Sequence, residues 1–272
     1  MKYKTKFTKK EILVVLCCAV FLLLNIGAIG SGGRRIAKDL VCLSNLHNWS
    51  AIFENYTNEN NDKFFTGQTA QGFLWIAQLE ELYQSYKQNP LWFCPMAKKP
   101  IIDEYGFYSQ TLNIFNAWGI YTRSVYNNLC RDGIAGSYGL NGYVLNVDPG
   151  VSFQGGRRTD DNWRTFNVKD ASDVPIFMEA LRFDLWPLET DPPADSEFAV
   201  WQGTNHMARC CINRHNGAIN CLFMDWSARK VGLKELWTLK WHRTFNTEGP
   251  WTKAGGVRPS DWPAWMKNFK EY

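Results

Sequence analysis

His215 and Asp225 stand ten residues apart in a chain with only four histidines, and a His–Asp pair invites a search for acid–base chemistry. A hydrolytic triad also needs a nucleophile presented on a sharp turn, and the chain has no G-x-S-x-G segment. If one strand joins the two residues, a rise of about 3.3 Å per residue sets them roughly 30 Å apart, and contact would need a bend. The simpler expectation is a histidine packed beside a turn and an aspartate that caps one. His47, His206, His215 and His242 form no H-E-x-x-H or H-x-x-E-H pattern. There is also no C-x-x-C pair, so the sequence predicts neither a metal site nor a cofactor, and no enzyme.

The cysteines raise a different chemistry. Cys17 and Cys18 lie in an apolar run and read as small hydrophobes. Cys42, Cys94, Cys130, Cys210, Cys211 and Cys221 remain, and six cysteines allow roughly fifteen full pairings. In an oxidising compartment disulfides are expected, with Cys42–Cys94 the favoured pair. Cys210 and Cys211 are neighbours and are expected on opposite faces of a strand. Asp184, Glu189, Asp191, Asp195 and Glu197 make the stretch 184–197 acidic; it reads as a loop of solvated charge, with no calcium ligand assigned.

The formal charge is +4, and residues 1–11 contribute five lysines and one glutamate, 5 − 1 = +4, so the remainder is neutral. A neutral body has no electrostatic footprint for nucleic acid. Residues 12–29, ILVVLCCAVFLLLNIGAI, are predicted to be a transmembrane helix. The preceding lysines place the amino terminus in the cytoplasm and the rest outside. A cleaved secretory signal is the rival reading, with Ala28-Ile29-Gly30 as its cleavage site.

The following residues must position any chemistry. Cys42, Leu46, Trp49, Phe53 and Tyr56 recur at helical spacing, which predicts an amphipathic helix over 30–62 that continues the membrane helix and ends at Asn60-Asn61-Asp62. A second helix is expected over 69–88, stopped by Pro90. "SYGLNGYVLN" (137–146) reads as strand, Asn-Gly turn, strand. "VPIFMEA" (174–180), "AINCLFMD" (218–225) and "ARKVG" (228–232) read as further strands. Residues 236–272, with Trp237, Trp241, Trp251, Trp262 and Trp265, are expected as an extended tail held by aromatic anchors. The sum is an α+β fold: a basic leader (1–11), the long helix, a globular head over 63–235 with an antiparallel sheet, and the tail.

Phe7, Thr8 and Glu11 before the apolar run form F-T-x-x-E and resemble the prepilin amino terminus of type IV pilins and type II secretion pseudopilins. The resemblance extends to "CLSNLHNWSAIFENYTNENNDKFF" (42–65), "LWFCP" (91–95), "SYGLNGY" (137–143) and "LWTLKWHRTFNT" (236–247). It includes His215 and Asp225, where one subfamily carries H-x9-D-G. It implies a pilin-like fold, a prepilin peptidase cut between Lys6 and Phe7, N-methylation of Phe7, and pairing of Glu11 with the new amino group of an adjacent subunit. Lys6 stands where the family has glycine, Lys9 and Lys10 where it has apolar residues, and Trp226 where it has the glycine of the turn.

The expectation is a non-enzymatic pseudopilin-like subunit in the inner membrane. Its implied partners are other pseudopilin subunits, secretion-system inner-membrane components and the prepilin peptidase. The alternative is a membrane-anchored extracytoplasmic domain that binds glycans or peptides, with the tryptophans as its stacking surface.

Overall fold

The computed structural model describes residues 8–67, 75–79, 89–100, 113–120, 134–198 and 203–272. One helix, α1, runs Lys9–Glu59 over 51 residues, about 77 Å at 1.5 Å per residue. A capping box starts it: the Thr8 hydroxyl accepts from the Glu11 amide, and the Glu11 carboxylate accepts from the Thr8 amide at 2.7 Å. Asn60 caps its end, and Asn61 and Asp62 take left-handed φ values of 57° that turn the chain away. Cys42, Leu46, Trp49 and Phe53 are fully buried, so the helical stripe is the face laid on the head.

Among the described residues ten short strands follow: β1 (Lys99–Pro100), β2 (Asn116–Ile120), β3 (Ile134–Gly136), β4 (Tyr138–Asn141), β5 (Phe153–Gln154), β6 (Arg157–Arg158), β7 (Pro175–Glu179), β8 (Asp184–Leu185), β9 (Ala218–Phe223) and β10 (Ala228–Gly232). The main sheet has the order β10-β9-β7-β4-β8; β1-β2-β3 and β5-β6 form two small sheets. α1 lies against β9, β10 and the 3-10 turn Pro90–Trp92. Trp49 packs on Phe53, Trp75, Trp92 and Phe177, with ring centroids 5.0–6.1 Å apart. Tyr138 of β4 packs on Phe177 as well, so the helix, the turn and the sheet share one aromatic core.

The architecture corrects the predicted fold in three respects. Among the described residues no helix is long and apolar enough to cross a membrane. The main sheet is mixed rather than antiparallel, because β8 pairs with β4 in parallel. After β7 the chain reverses and crosses β4 at Gly139, where a Cβ would lie 2.4 Å from the Arg182 carbonyl; the missing side chain admits the crossing, and the Leu140 amide bonds Phe183 O at 2.9 Å. The carboxy-terminal residues are folded into turns rather than extended. Leu233–Thr238 and Ala264–Met266 are 3-10 turns, and Trp237, Trp241 and Trp262 are buried.

Local chemistry explains other departures. Asn141 stops β4: its side-chain oxygen accepts from the Tyr143 amide and its amide donates to Pro175 O and Trp241 O, so Gly142–Val144 becomes a 3-10 turn instead of a hairpin strand. Most of the expected helix over 69–88 lies outside the described residues; Trp75–Leu79 is a 3-10 turn. Cys210 and Cys211 follow the 3-10 turn Met207–Arg209, both buried, rather than facing apart on a strand. The acidic loop is not solvated throughout. Asp184 pairs with Arg182 and Arg209 at 3.0 Å, and Asp191 Oδ2 accepts from the amides of Leu188, His206 and Met207. Burial raises the pKa of both aspartates against these partners.

That loop places a buried histidine. His206 Nδ1 accepts from the Trp186 amide at 2.9 Å, so this nitrogen must stay unprotonated. Burial, with Arg209, Arg157 and Arg182 nearby, lowers its pKa to about 2. Between its unfolded value near 6.5 and pH 2 the unfolded chain binds a proton that the native site refuses. Stability from this site is therefore complete above about pH 6.5 and falls by about 1.4 kcal/mol per unit below it. Urea unfolding at pH 7 and pH 5 is expected to show a loss about 2 kcal/mol larger for the native sequence than for His206→Gln; identical losses would refute the buried neutral imidazole.

Candidate functional site

The densest chemistry in the described residues lies where α1 meets the head. Cys42 from α1, Cys94 from the segment after the Pro90–Trp92 turn, Glu179 at the end of β7 and His215 ahead of β9 are all buried. One donor atom from each falls within 4.8 Å of all the others. His215 Nε2 lies 3.0 Å from Glu179 Oε2 and 3.4 Å from Cys94 Sγ. Cys42 Sγ lies 3.2 Å from the Tyr138 hydroxyl.

Each residue is positioned by a local cause. Cys42 falls on the helix stripe, two turns before Trp49, whose indole donates to Leu91 O at 3.0 Å. Asn45 donates to Phe93 O at 3.0 Å, which holds the Cys94 segment against the helix. The Cys94 amide is also held by the Ser137 hydroxyl. Glu179 interrupts an otherwise apolar central strand, and its Oε2 accepts from the Asn220 amide of β9 at 2.9 Å. Asn216 and Gly217 turn the chain with φ of 56° and 79°, and the His215 amide bonds Ala218 O.

The charges alternate across the joint. Lys230 Nζ meets Asp39 Oδ2 at 2.6 Å, Asp39 Oδ1 meets His215 Nδ1 at 3.2 Å, His215 Nε2 meets Glu179, and Arg214 Nη1 lies 3.8 Å from Glu179 Oε1. Burial works against a charged imidazole, but the Glu179 carboxylate and the hydrogen bonds to Cys94 and Glu179 overcome it and raise the His215 pKa to about 10. Burial likewise opposes the Glu179 charge, and His215 with Arg214 still holds its pKa below the usual carboxylate value. Burial pushes the Cys94 thiol well up, helped by Cys42. Two thiols, an imidazole and a carboxylate are donors that suit a borderline-soft divalent cation, and this set could hold one.

The residues singled out in the sequence fare differently. His215 and Asp225 do not meet in a shared polar contact. Asp225 Oδ1 accepts from the Ser227 amide at 3.0 Å and from its hydroxyl at 2.6 Å, which makes it a turn cap. Cys42 and Cys94 come together but are free thiols, not the expected disulfide, with their sulfurs among the clustered donors. Glu11 is the N3 residue of the capping box, and those hydrogen bonds, backbone first, lower its pKa. The junction of Lys6 and Phe7 lies outside the described residues. Three tail tryptophans are buried: Trp237 donates to Asp191 O, Trp241 donates to Leu236 O, and Trp262 packs on Trp237. Sequence reasoning missed Glu179 and Asp39; the one signal was a glutamate inside the apolar run of 174–180.

Trp226 takes a left-handed φ of 66°, a conformation that glycine adopts most readily, and stacks on Phe166 at 4.7 Å. No family of known proteins, no curated protein and no solved structure matches this chain.

Two expectations follow. Glu179→Ala leaves the buried guanidinium and imidazolium without their carboxylate, and metal-free protein is expected to lose about 3–5 kcal/mol in urea unfolding; a loss under 1 kcal/mol would contradict the buried pairing. At position 226, Trp226→Gly is expected to be about 1–2 kcal/mol more stable than Trp226→Ala, because both lose the stack but only glycine relieves the left-handed backbone. Equal stabilities would show that the turn is not left-handed there.

Proposed function

We propose that the protein is a pseudopilin-like structural subunit of a type II secretion or type IV pilus-like filament, and not an enzyme. The observation that carries this reading is the surface of the first part of α1. Ile12, Leu13, Val14, Val15, Leu16, Val20, Phe21 and Leu22 are each 49–67% exposed, and consecutive positions point around the whole helix. Ile36, Leu40 and Val41 carry exposed apolar surface towards the head. An all-round apolar helix needs burial on every side, and copies of the same helix supply it in a bundle with heads outside.

The prepilin-like start supports the same reading. Cleavage between Lys6 and Phe7 would leave Thr8 and Glu11, and hence the capping box, intact. The capping contacts use Oε2 of Glu11, and the amino group of a neighbouring subunit is the proposed partner of the carboxylate. The lysines before α1 favour assembly at the inner membrane with the amino terminus on the cytoplasmic side. The partners are then other pseudopilin subunits, the inner-membrane secretion components and the prepilin peptidase.

Cys17 and Cys18, exposed on this part of α1, provide the test. Oxidation of the full chain, expressed with a prepilin peptidase, is expected to yield covalent multimers that disappear in Cys17→Ser/Cys18→Ser. The mature chain is expected to begin with methylated Phe7, and Glu11→Ala to reduce multimers without changing head stability. An intact Met1 start without multimers would sink the proposal.

A further inference from the structure

We infer that Cys42, Cys94, Glu179 and His215 bind one zinc ion, which fastens α1 to the head. The four donors come from four separate segments and are buried in one cluster. Tetrahedral zinc, with bonds of about 2.0–2.3 Å, sets its donors roughly 3.3–3.8 Å apart. The Cys94 Sγ–His215 Nε2 distance of 3.4 Å falls in that range, and His215 Nε2–Glu179 Oε2 is 3.0 Å. The widest pair is no more than 4.8 Å apart, within about 1 Å of that range.

A second, independent observation points to a ligand. Glu179 is 0% exposed, yet its Oε1 has no hydrogen bond, while Oε2 is held by Asn220. Arg214 Nη1, 3.8 Å from Oε1, is too distant to hydrogen-bond it, and a cation bound closer to this buried oxygen would satisfy it. The surroundings complete a metal centre. His215 turns Nε2 to the cluster and Nδ1 to Asp39 at 3.2 Å, the carboxylate–histidine arrangement that orients a ligating imidazole. Asp39 is itself held by Lys230 and Asn220. Two thiolates, one carboxylate and a neutral imidazole leave a zinc centre with one net negative charge, and buried Arg214 stands next to it.

A cavity of about 300 Å³, lined in part by Asp39, Met96, Arg214, His215 and Lys230, gives the ion a route from solvent. Binding replaces the two thiol protons and the imidazolium proton, so about three protons leave for each zinc bound. The charge balances: a neutral cluster plus a dication yields a centre of charge −1 and three protons. The thiolates favour zinc over magnesium or calcium.

The test uses the full chain in detergent, reduced and kept free of oxygen. Metal analysis is expected to find one zinc per chain. Cobalt(II) added to metal-free protein is expected to give the intense visible and near-ultraviolet absorption of a tetrahedral thiolate centre, and zinc to quench it. Cys42→Ser, Cys94→Ser and His215→Gln are expected to abolish these bands, whereas Cys210→Ser, a buried cysteine outside the cluster, keeps them. Asp39→Asn retains every donor and is expected to weaken zinc by about 10–100-fold. Should the ligand variants fail to fold, the unvaried chain still decides. Absence of cobalt–thiolate bands, or a Cys42–Cys94 disulfide in protein isolated from cells, would overturn the inference. So would metal binding that is unchanged in a folded Cys42→Ser variant.

Discussion

A carboxylate buried in the middle of a sheet has to be compensated, and the joint between helix and head is built around where Glu179 finds compensation. Its position at the end of β7 sets it among apolar neighbours with no access to water. Leaving such a charge alone would cost several kcal/mol. Arg214 and His215 answer it from the segment before β9, and Asn220 answers from β9 itself. His215 is then oriented by Asp39 of α1, and Asp39 by Lys230 of β10. The alternating charges run from the sheet centre to the surface and pass through the helix on the way.

This polar chain and the aromatic core divide the work. Trp49, Phe53, Trp75, Trp92 and Phe177 remove a large apolar area from water, but apolar contact is non-directional and tolerates sliding. Charged contacts near 3 Å do not, so the Asp39 and Glu179 network sets the register of α1 on the head. The fully buried stripe on one stretch of the helix and the exposed apolar positions on another then make one continuous element with two roles. The proposed place in a filament would use that combination, because load on the helix would have to reach the head without the joint slipping.

The carboxy-terminal region shows how far burial can rest on a few large side chains. Trp237, Trp251 and Trp262 pack on one another, and Trp265 donates to Ala194 O. The loop that looked solvated from its acid content is thereby covered, with Asp191 used as a backbone anchor. Counting acids could not reveal this, since a carboxylate that accepts three amides has the same letter as one in water.

The features legible in the sequence are those that depend on near neighbours. The stripe Cys42–Leu46–Trp49–Phe53 follows from the helical period, the capping box from Thr8 and Glu11, β7 and β9 from apolar runs bounded by turns, and β10 from the turn that precedes it. Asp225 as a turn cap is equally local. The mixed sheet was not legible, because the β4–β8 pairing depends on a crossing that only Gly139 and its distant neighbour Arg182 permit. Nor was the left-handed turn at Trp226, where tertiary stacking outweighs residue preference. Cys42 and Cys94 were expected to meet, as a disulfide, but their gathering as free thiols with Glu179 and His215 was decided by the tertiary structure alone. No spacing rule links residues so far apart, and a charge buried in low dielectric selects its partners by distance in space, whatever their order in the chain.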